Sequence, residues 1–229
     1  MYGNILRSGF ATIPLLAIML APFNVHASTP VQTAPGAPLG SGFTGPCWHV
    51  MTPAGGTVSS SNSHLFLYVP GGSNHDSQLP SNQAVRVVQP IGNGDLDVSI
   101  KIDSPLVPTD LGTRQGLMVL SDRDYLTFEL ATDGTTIHLS AETMVAGASN
   151  QVFDNKNFSQ YHDPMYLRLT RAGSTYVAFY SIDGSEWVQA ATFTDSKIPT
   201  SIGPFASNYN PTPIKAPPVT MSVNWFNVQ

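Results

Sequence analysis

The run from Met165 to Gln189, MYLRLTRAGSTYVAFYSIDGSEWVQ, restricts what this chain can fold into more than any other stretch. Met165 to Arg171 and Thr175 to Ile182 are rich in Leu, Thr, Tyr, Val and Phe and are split by Ala172-Gly173, the pattern of a β-hairpin. Asp183-Gly184 then supplies the positive-φ positions of a second tight turn, and Trp187-Val188 opens a third strand. Three antiparallel strands with aromatics on both faces of the middle one need another layer to pack against. The expected fold class is therefore all-β, a two-sheet antiparallel sandwich.

The remainder of the chain agrees. Only 11% of its residues are charged, while Gly and Pro number 19 each, a balance that suits many strands joined by turns rather than helices laced with ion pairs. Strand signals fall at 47–51, 57–60, 65–69, 84–89, 95–103, 115–120, 125–131, 135–141, 144–153, 188–193, 201–206 and 219–228. In the 95–103 run Leu96, Val98, Ile100 and Ile102 alternate with Asp97, Ser99, Lys101 and Asp103, marking a half-buried strand with one wet face. Pro70 to Gln83, PGGSNHDSQLPSNQ, has no hydrophobic period, and a loop of that length in a compact domain is often functional.

Residues 1–27 read as a signal peptide, with Arg7 as a short basic region, Ile13 to Leu20 as the apolar stretch and Val25-His26-Ala27 before cleavage. Secretion, to the periplasm or beyond the cell, is the expectation. Residues 28–43 read as a Pro- and Gly-rich flexible linker, and residues 44–229 as the folded domain. No membrane span is expected in the mature chain. A formal charge of -5 with few Lys and Arg argues against nucleic acid as a partner. Cys47 is the only cysteine, which excludes an intrachain disulfide and any paired-thiolate metal site.

The order Trp48, Leu65-Phe66-Leu67, Asn74-His75-Asp76, Gly94-Asp95-Leu96-Asp97, Gln115-Gly116-Leu117, Tyr166-Leu167-Arg168, Tyr180-Ser181, Asp183-Gly184, Trp187, Gly203-Pro204-Phe205 and Asn224-Trp225-Phe226 resembles the concanavalin A-like lectin/glucanase (laminin-G-like) jelly-roll superfamily. It is similar in particular to the bacterial secreted sandwich domains at the C-terminus of β-xylosidases. The resemblance runs from about Thr44 to Gln229, and this chain departs from it at Asn224, where the family usually carries Asp. It implies a jelly roll whose hollow sheet face binds glycans.

Sugars present C–H faces to aromatics and hydroxyls to planar polar groups. Tyr166 and Arg168 point away from the Leu167–Leu169 seam and are the first ligand-binding candidates; His75 and Asp76 in the long loop, with Arg86 on the next strand, are the others. No catalytic residue is assigned. There is no GxSxG elbow, and the three glutamates, Glu129, Glu142 and Glu186, have no acidic neighbour at the along-strand spacing that jelly-roll glucanases use. No metal site or cofactor is assigned; Ca²⁺ is the one ion whose oxygen ligands could come from Asp76, Asp95, Asp97 or Asp103. The reading is a secreted, non-catalytic module for carbohydrate or another extracellular ligand. The alternatives are a glycoside hydrolase or polysaccharide lyase with an atypical site, and a structural or adhesion module for a protein partner.

Overall fold

The computed structural model describes residues 48–61, 63–78 and 82–229; the expected signal peptide, the linker and Cys47 lie outside them. Fourteen strands make up the fold: β1 (His49–Met51), β2 (Thr57–Ser61), β3 (His64–Val69), β4 (Val85–Pro90), β5 (Leu96–Ile102), β6 (Arg114–Ser121), β7 (Asp124–Thr132), β8 (Ile137–Val145), β9 (Ala148–Asn155), β10 (Met165–Ala172), β11 (Thr175–Ser181), β12 (Val188–Thr194), β13 (Ser201–Ser207) and β14 (Val219–Val228). The helical elements among the described residues are two single 3-10 turns, Pro53–Gly55 and Pro213–Lys215. No described helix is long and apolar enough to cross a membrane.

The strands form two seven-stranded antiparallel sheets. The first runs β1-β4-β13-β6-β7-β8-β9 and the second β12-β11-β10-β5-β14-β3-β2. The fold is thus the all-β sandwich the turn spacing predicts. The β10–β11 hairpin closes at Gly173, with φ of 60°, and the β11–β12 connection turns at Gly184, with φ of 77°, the left-handed backbone that glycine adopts without steric cost. The break expected at Gly147 is there, whereas the gap expected after Ala141 is not. β8 continues through Glu142 to Val145, and the chain turns at Ala146-Gly147 into β9.

Inside the second sheet the burial follows strict alternation. β10 buries Met165, Leu167 and Leu169, β5 buries Leu96, Val98, Ile100 and Ile102, and the register pairs Leu167 with Ile100 and Leu169 with Val98. These side chains belong to one core cluster with Leu117, Val119, Leu126, Phe128, Leu130 and Leu139 of the first sheet. Burying each such side chain is worth about 1.5–3 kcal/mol, so the interleaved sheet faces hold the domain together.

The first sheet behaves differently. β6, β7 and β8 are buried on both faces over most of their length, although polar residues such as Gln115, Thr127, Glu129 and Ser140 interrupt them. Their outer face carries a second apolar cluster of Ala84, Met118, Tyr125, Met144 and Phe205, and the segment between β3 and β4 is tied down beside it. That strap is anchored at one end by an isolated bridge between His75 and Asn208 and by reciprocal bonds of the Asn74 side chain to the Asn210 backbone, 3.0 and 2.9 Å. At the other end the Arg86 guanidinium donates to the Asn82 and Ala84 carbonyls, both at 3.0 Å.

The centre of this sheet tolerates no side chain at Gly203. A Cβ there would lie 1.9 Å from the Val87 carbonyl oxygen and 2.8 Å from the Val88 Cα. The ladder to β4 pairs Ile202 with Gln89 and Phe205 with Arg86 and passes over Gly203 and Pro204. Gly203→Ala must push β4 and β13 apart, so its urea midpoint should fall by the equivalent of about 1–3 kcal/mol, the usual range for overpacking. An unchanged midpoint would show that the two strands separate freely.

Candidate binding cleft

The hairpin turn at Asp133-Gly134 sets the site. It fixes the β7–β8 register so that Thr132 pairs with Ile137, Glu129 with Ser140 and Thr127 with Glu142. Glu129 and Glu142 are therefore diagonal neighbours on one face, within reach of each other across the strands. On the far side of β7, Gly116 of β6 pairs with Glu129, where a Cβ would lie 2.3 Å from the Phe128 carbonyl oxygen and 2.7 Å from the Glu129 Cα. Arg114 Nη1 donates to Glu129 Oε1 at 2.6 Å and to Glu142 Oε2 at 3.3 Å. The two carboxylate oxygens are consequently no more than about 5.9 Å apart, the sum of those distances.

The pair forms across two strands, which leaves the expectation about spacing along a single strand as it stands.

Burial sharpens the electrostatics. Glu129 is 0% exposed, and desolvation raises its pKa to about 7 against the opposing pull of Arg114. Burial disfavours the charge of Arg114 too, but Glu129, Glu142 and Asp76 together hold its pKa above the ordinary arginine value. Asp76, on the strap, is raised by burial, with Arg114 and Glu142 both close enough to act on it. Tyr125 is raised by burial and by the neighbouring carboxylates of Asp76, Glu129 and Glu142, and its hydroxyl has no hydrogen-bond partner among the described residues. The strap meets the cluster through Gln78, whose side-chain amide donates to Glu142 Oε2 and whose backbone N–H donates to Asp76 Oδ1 at 2.8 Å.

Beside this cluster the outer face opens into a cleft of about 250 Å³, lined by Arg114, Ser140, Glu142, His138, Gln151 and Asp154 among others. His138 is held at both ring nitrogens, Nδ1 3.0 Å from Asp154 Oδ1 and Nε2 3.1 Å from Asp133 Oδ2. Asp133 in turn accepts the backbone N–H groups of Thr136 and Thr135, which hold its carboxyl well below the usual range. Every one of these cleft groups except Asp133 and Lys156 is carried on a strand, so the lining is preorganised.

The residues singled out in the sequence divide between the two sheets. Asp76 joins the Arg114 cluster. His75 is buried where the strap is anchored, its backbone N–H donating to Asn208 Oδ1 at 2.7 Å, and Arg86 ties down the other end of the strap. Tyr166 and Arg168 lie on the outer face of the second sheet. Arg168 makes a two-pronged pair with Asp97, its Nε 2.8 Å from Oδ1, and lies 5.7 and 5.9 Å from the Phe179 and Trp187 rings. Tyr166 packs against Trp225 and under Gly184. Of the four candidate Ca²⁺ ligands, Asp97 is taken by Arg168, Asp95 accepts the Gly173 N–H, and Asp103 meets His64 and Lys101. Among the described residues no three His, Cys, Asp or Glu side chains are grouped to hold a metal ion.

Arg114, Glu129, Glu142, Gln78, His138 and Asp154 were not among the candidates. One signal could have found the first three: with Asp133-Gly134 as a hairpin turn, counting back along both strands puts the two glutamates on one face, and the only Arg on β6 shares it.

Neither a protein-family model nor a curated protein matches the sequence. Solved structures do. The GH43 BlXynB protein from Bacillus licheniformis is 19% identical with a TM-score of 0.61; the match covers 80% of this chain and 37% of that one. A functionally unknown protein from Saccharomyces cerevisiae is 14% identical with a TM-score of 0.61, covering 80% of this chain and 94% of that one. The CBM2 module of the evolved Dit of Lactobacillus casei BL23 phage J-1 is 8% identical, with a TM-score of 0.57 and coverage of 80% and 90%. At these identities the likeness is one of fold. This chain spans little more than a third of the Bacillus protein's length.

Proposed function

We propose that this chain is a secreted, non-catalytic carbohydrate-binding module of the concanavalin A-like kind, with its ligand seated in the cleft beside Arg114. The observation that carries this reading is the cleft's lining: a guanidinium, carboxylates, an imidazole and an amide on rigid strands, open to solvent, offering the mixed donors and acceptors that sugar hydroxyls require. Structural likeness to GH43 chains supports a carbohydrate-related role.

A second reading, a glycoside hydrolase, draws on the separation of Glu129 and Glu142, close to the roughly 5 Å of a retaining carboxylate pair. The geometry favours binding over cleavage. Glu129 is sealed from solvent and Arg114 stands between the two carboxyls, whereas such chemistry needs both groups against the scissile bond.

Residues 44–229 should be retained on at least one member of a glycan panel, with Gln151→Ala weakening retention and no reducing sugar released from the same polysaccharides. No retention on any glycan would overturn the proposal, and steady product release would replace it with the hydrolase. If Tyr166→Ala and Arg168→Ala abolish retention while Gln151→Ala does not, the ligand sits on the second sheet instead.

A further inference from the structure

We infer that Asn93 is a site of spontaneous covalent modification, losing its amide nitrogen to attack by the Gly94 backbone nitrogen, and that the isoaspartyl product loosens the tie between the β4–β5 connection and the β10–β11 turn. Asn93-Gly94 is the one Asn-Gly step in the sequence. Residues 91–95 carry the chain from β4 in the first sheet to β5 in the second, and Gly92, Asn93 and Gly94 are all exposed. The connection is held at its start by the Ile91 N–H on the Thr200 carbonyl, 3.0 Å, and at its end by Gly94 and Asp95. Between these anchors neither the Asn93 side chain nor the Gly94 N–H makes a hydrogen bond to a described residue. A Cβ built on Gly94 would meet nothing within 4 Å, so the space around this step is open.

The chemistry needs that freedom. The nucleophile is a backbone nitrogen that must give up its proton, and a hydrogen bond from that N–H, or a side chain on its own residue, would hinder its approach to Asn93 Cγ. With neither present, the Gly94 nitrogen bonds to Cγ, the Cγ–Nδ2 bond breaks, and the amide nitrogen leaves as ammonia with the Gly94 proton. Water then opens the cyclic imide. Cleavage of the new N–Cγ bond gives aspartate, and cleavage of the original peptide C–N bond gives isoaspartate, whose main chain runs through Cβ and Cγ. The sum is asparagine and water giving the acid and ammonia, with nothing oxidised or reduced. Other asparagines are blocked locally. Asn157 precedes the buried Phe158, Asn210 precedes Pro211, which has no N–H, and the amides of Asn74 and Asn208 donate to the carbonyls of Asn210, Pro70 and Pro217.

The product matters because of what the end of this connection holds. The Gly94 carbonyl accepts Arg171 Nη1 at 3.0 Å, and the Asp95 carboxylate accepts the Gly173 N–H at 3.0 Å. Arg171 is 8% exposed, and its guanidinium carbon lies 5.8 Å from the centre of the Tyr176 ring. An isoaspartyl link adds one carbon to the main chain immediately before Gly94. The Gly94 carbonyl and the Asp95 carboxylate then cannot both keep their places, and a buried guanidinium that loses an acceptor is costly. Aspartate leaves the main chain as it was.

The protein is held in mildly alkaline buffer while peptide mass mapping follows, at every asparagine, the gain from replacing an amide NH₂ by OH. Asn93 should convert first and yield both isomers. In Gly94→Ala, whose methyl the open loop accepts, conversion should be about tenfold slower, a barrier higher by about 1.4 kcal/mol. The isoaspartyl form, isolated by ion exchange, should melt below the unmodified protein, whereas Asn93→Asp, which adds the charge without the extra carbon, should melt with it. Conversion of another asparagine before Asn93, or an equal rate in Gly94→Ala, would overturn the site. An isoaspartyl form that melts with the unmodified protein would overturn the loosening, and an Asn93→Asp variant that melts as low as the isoaspartyl form would assign the loss to charge instead.

Discussion

Arg114→Leu is expected to destabilise the domain by about 3–5 kcal/mol at pH 7.5, the cost of breaking a buried ion pair by deleting one partner. Arg114 Nη1 is the cationic contact of Glu129, at 2.6 Å, and it also serves Glu142. Without it, Glu129 stays fully enclosed beneath the strap, and it must either carry an uncompensated charge in a dry setting or take up a proton. Against a typical total of about 5–15 kcal/mol, such a loss leaves a marginal domain.

Two controls identify the cause. Near pH 4.5 Glu129 binds a proton whether or not Arg114 is present, so the penalty should shrink there. The double variant Arg114→Leu/Glu129→Leu removes both charges and should recover much of the loss, as buried pairs replaced together often do. Urea midpoints for the three proteins at both pH values give the answer. A single variant within about 1 kcal/mol of wild type at pH 7.5 would mean that the pair is not needed to hold the outer face of the first sheet.

The cleft was largely invisible in the sequence for a physical reason. Period-two alternation reports which residues of a strand share a face, and it placed Leu167 and Leu169 inward and Tyr166 and Arg168 outward as the structure has them. It says nothing about what covers the outer face. Along β7 and β8, Tyr125, Thr127, Glu129 and Glu142 hold positions that alternation assigns to solvent, yet the strap buries them. The loop that hides them was legible as a long, polar and aperiodic stretch; where it would lie was not, because it is fixed by contacts such as Asn74 with Asn210 that join residues over a hundred positions apart. His138 was similarly unreadable, since its partner Asp154 comes from a neighbouring strand whose register shifts at Ala141 and Glu142. Turns, by contrast, are local: Gly173 and Gly184 fall where the sequence puts them, and with them the hairpins and the fold class.

Stability should fall as pH rises from about 4.5 to about 7. The sign follows from proton counting. Burial raises the Glu129 pKa from 4.5 to about 7, so between those values the folded chain holds a proton that the unfolded chain has released. The associated stability is complete below the unfolded value and lost as pH climbs through the folded one, to a limit of about 3 kcal/mol. Asp76 is raised as well and acts in the same sense over a window that begins lower. Asp133 and Asp183, depressed by turn N–H bonds from Thr136 and Glu186 respectively, oppose it only on the acid side, where their contribution disappears as pH falls through their low folded values. A stability maximum near pH 5 follows, with melting temperature declining toward pH 8. Glu129→Gln keeps the shape and removes the titration, so its profile across that interval should flatten. A wild type more stable at pH 8 than at pH 5, or a slope that survives Glu129→Gln, would show that Arg114 keeps Glu129 ionised throughout, and the enclosed carboxyl would then be a permanent charge rather than a proton store.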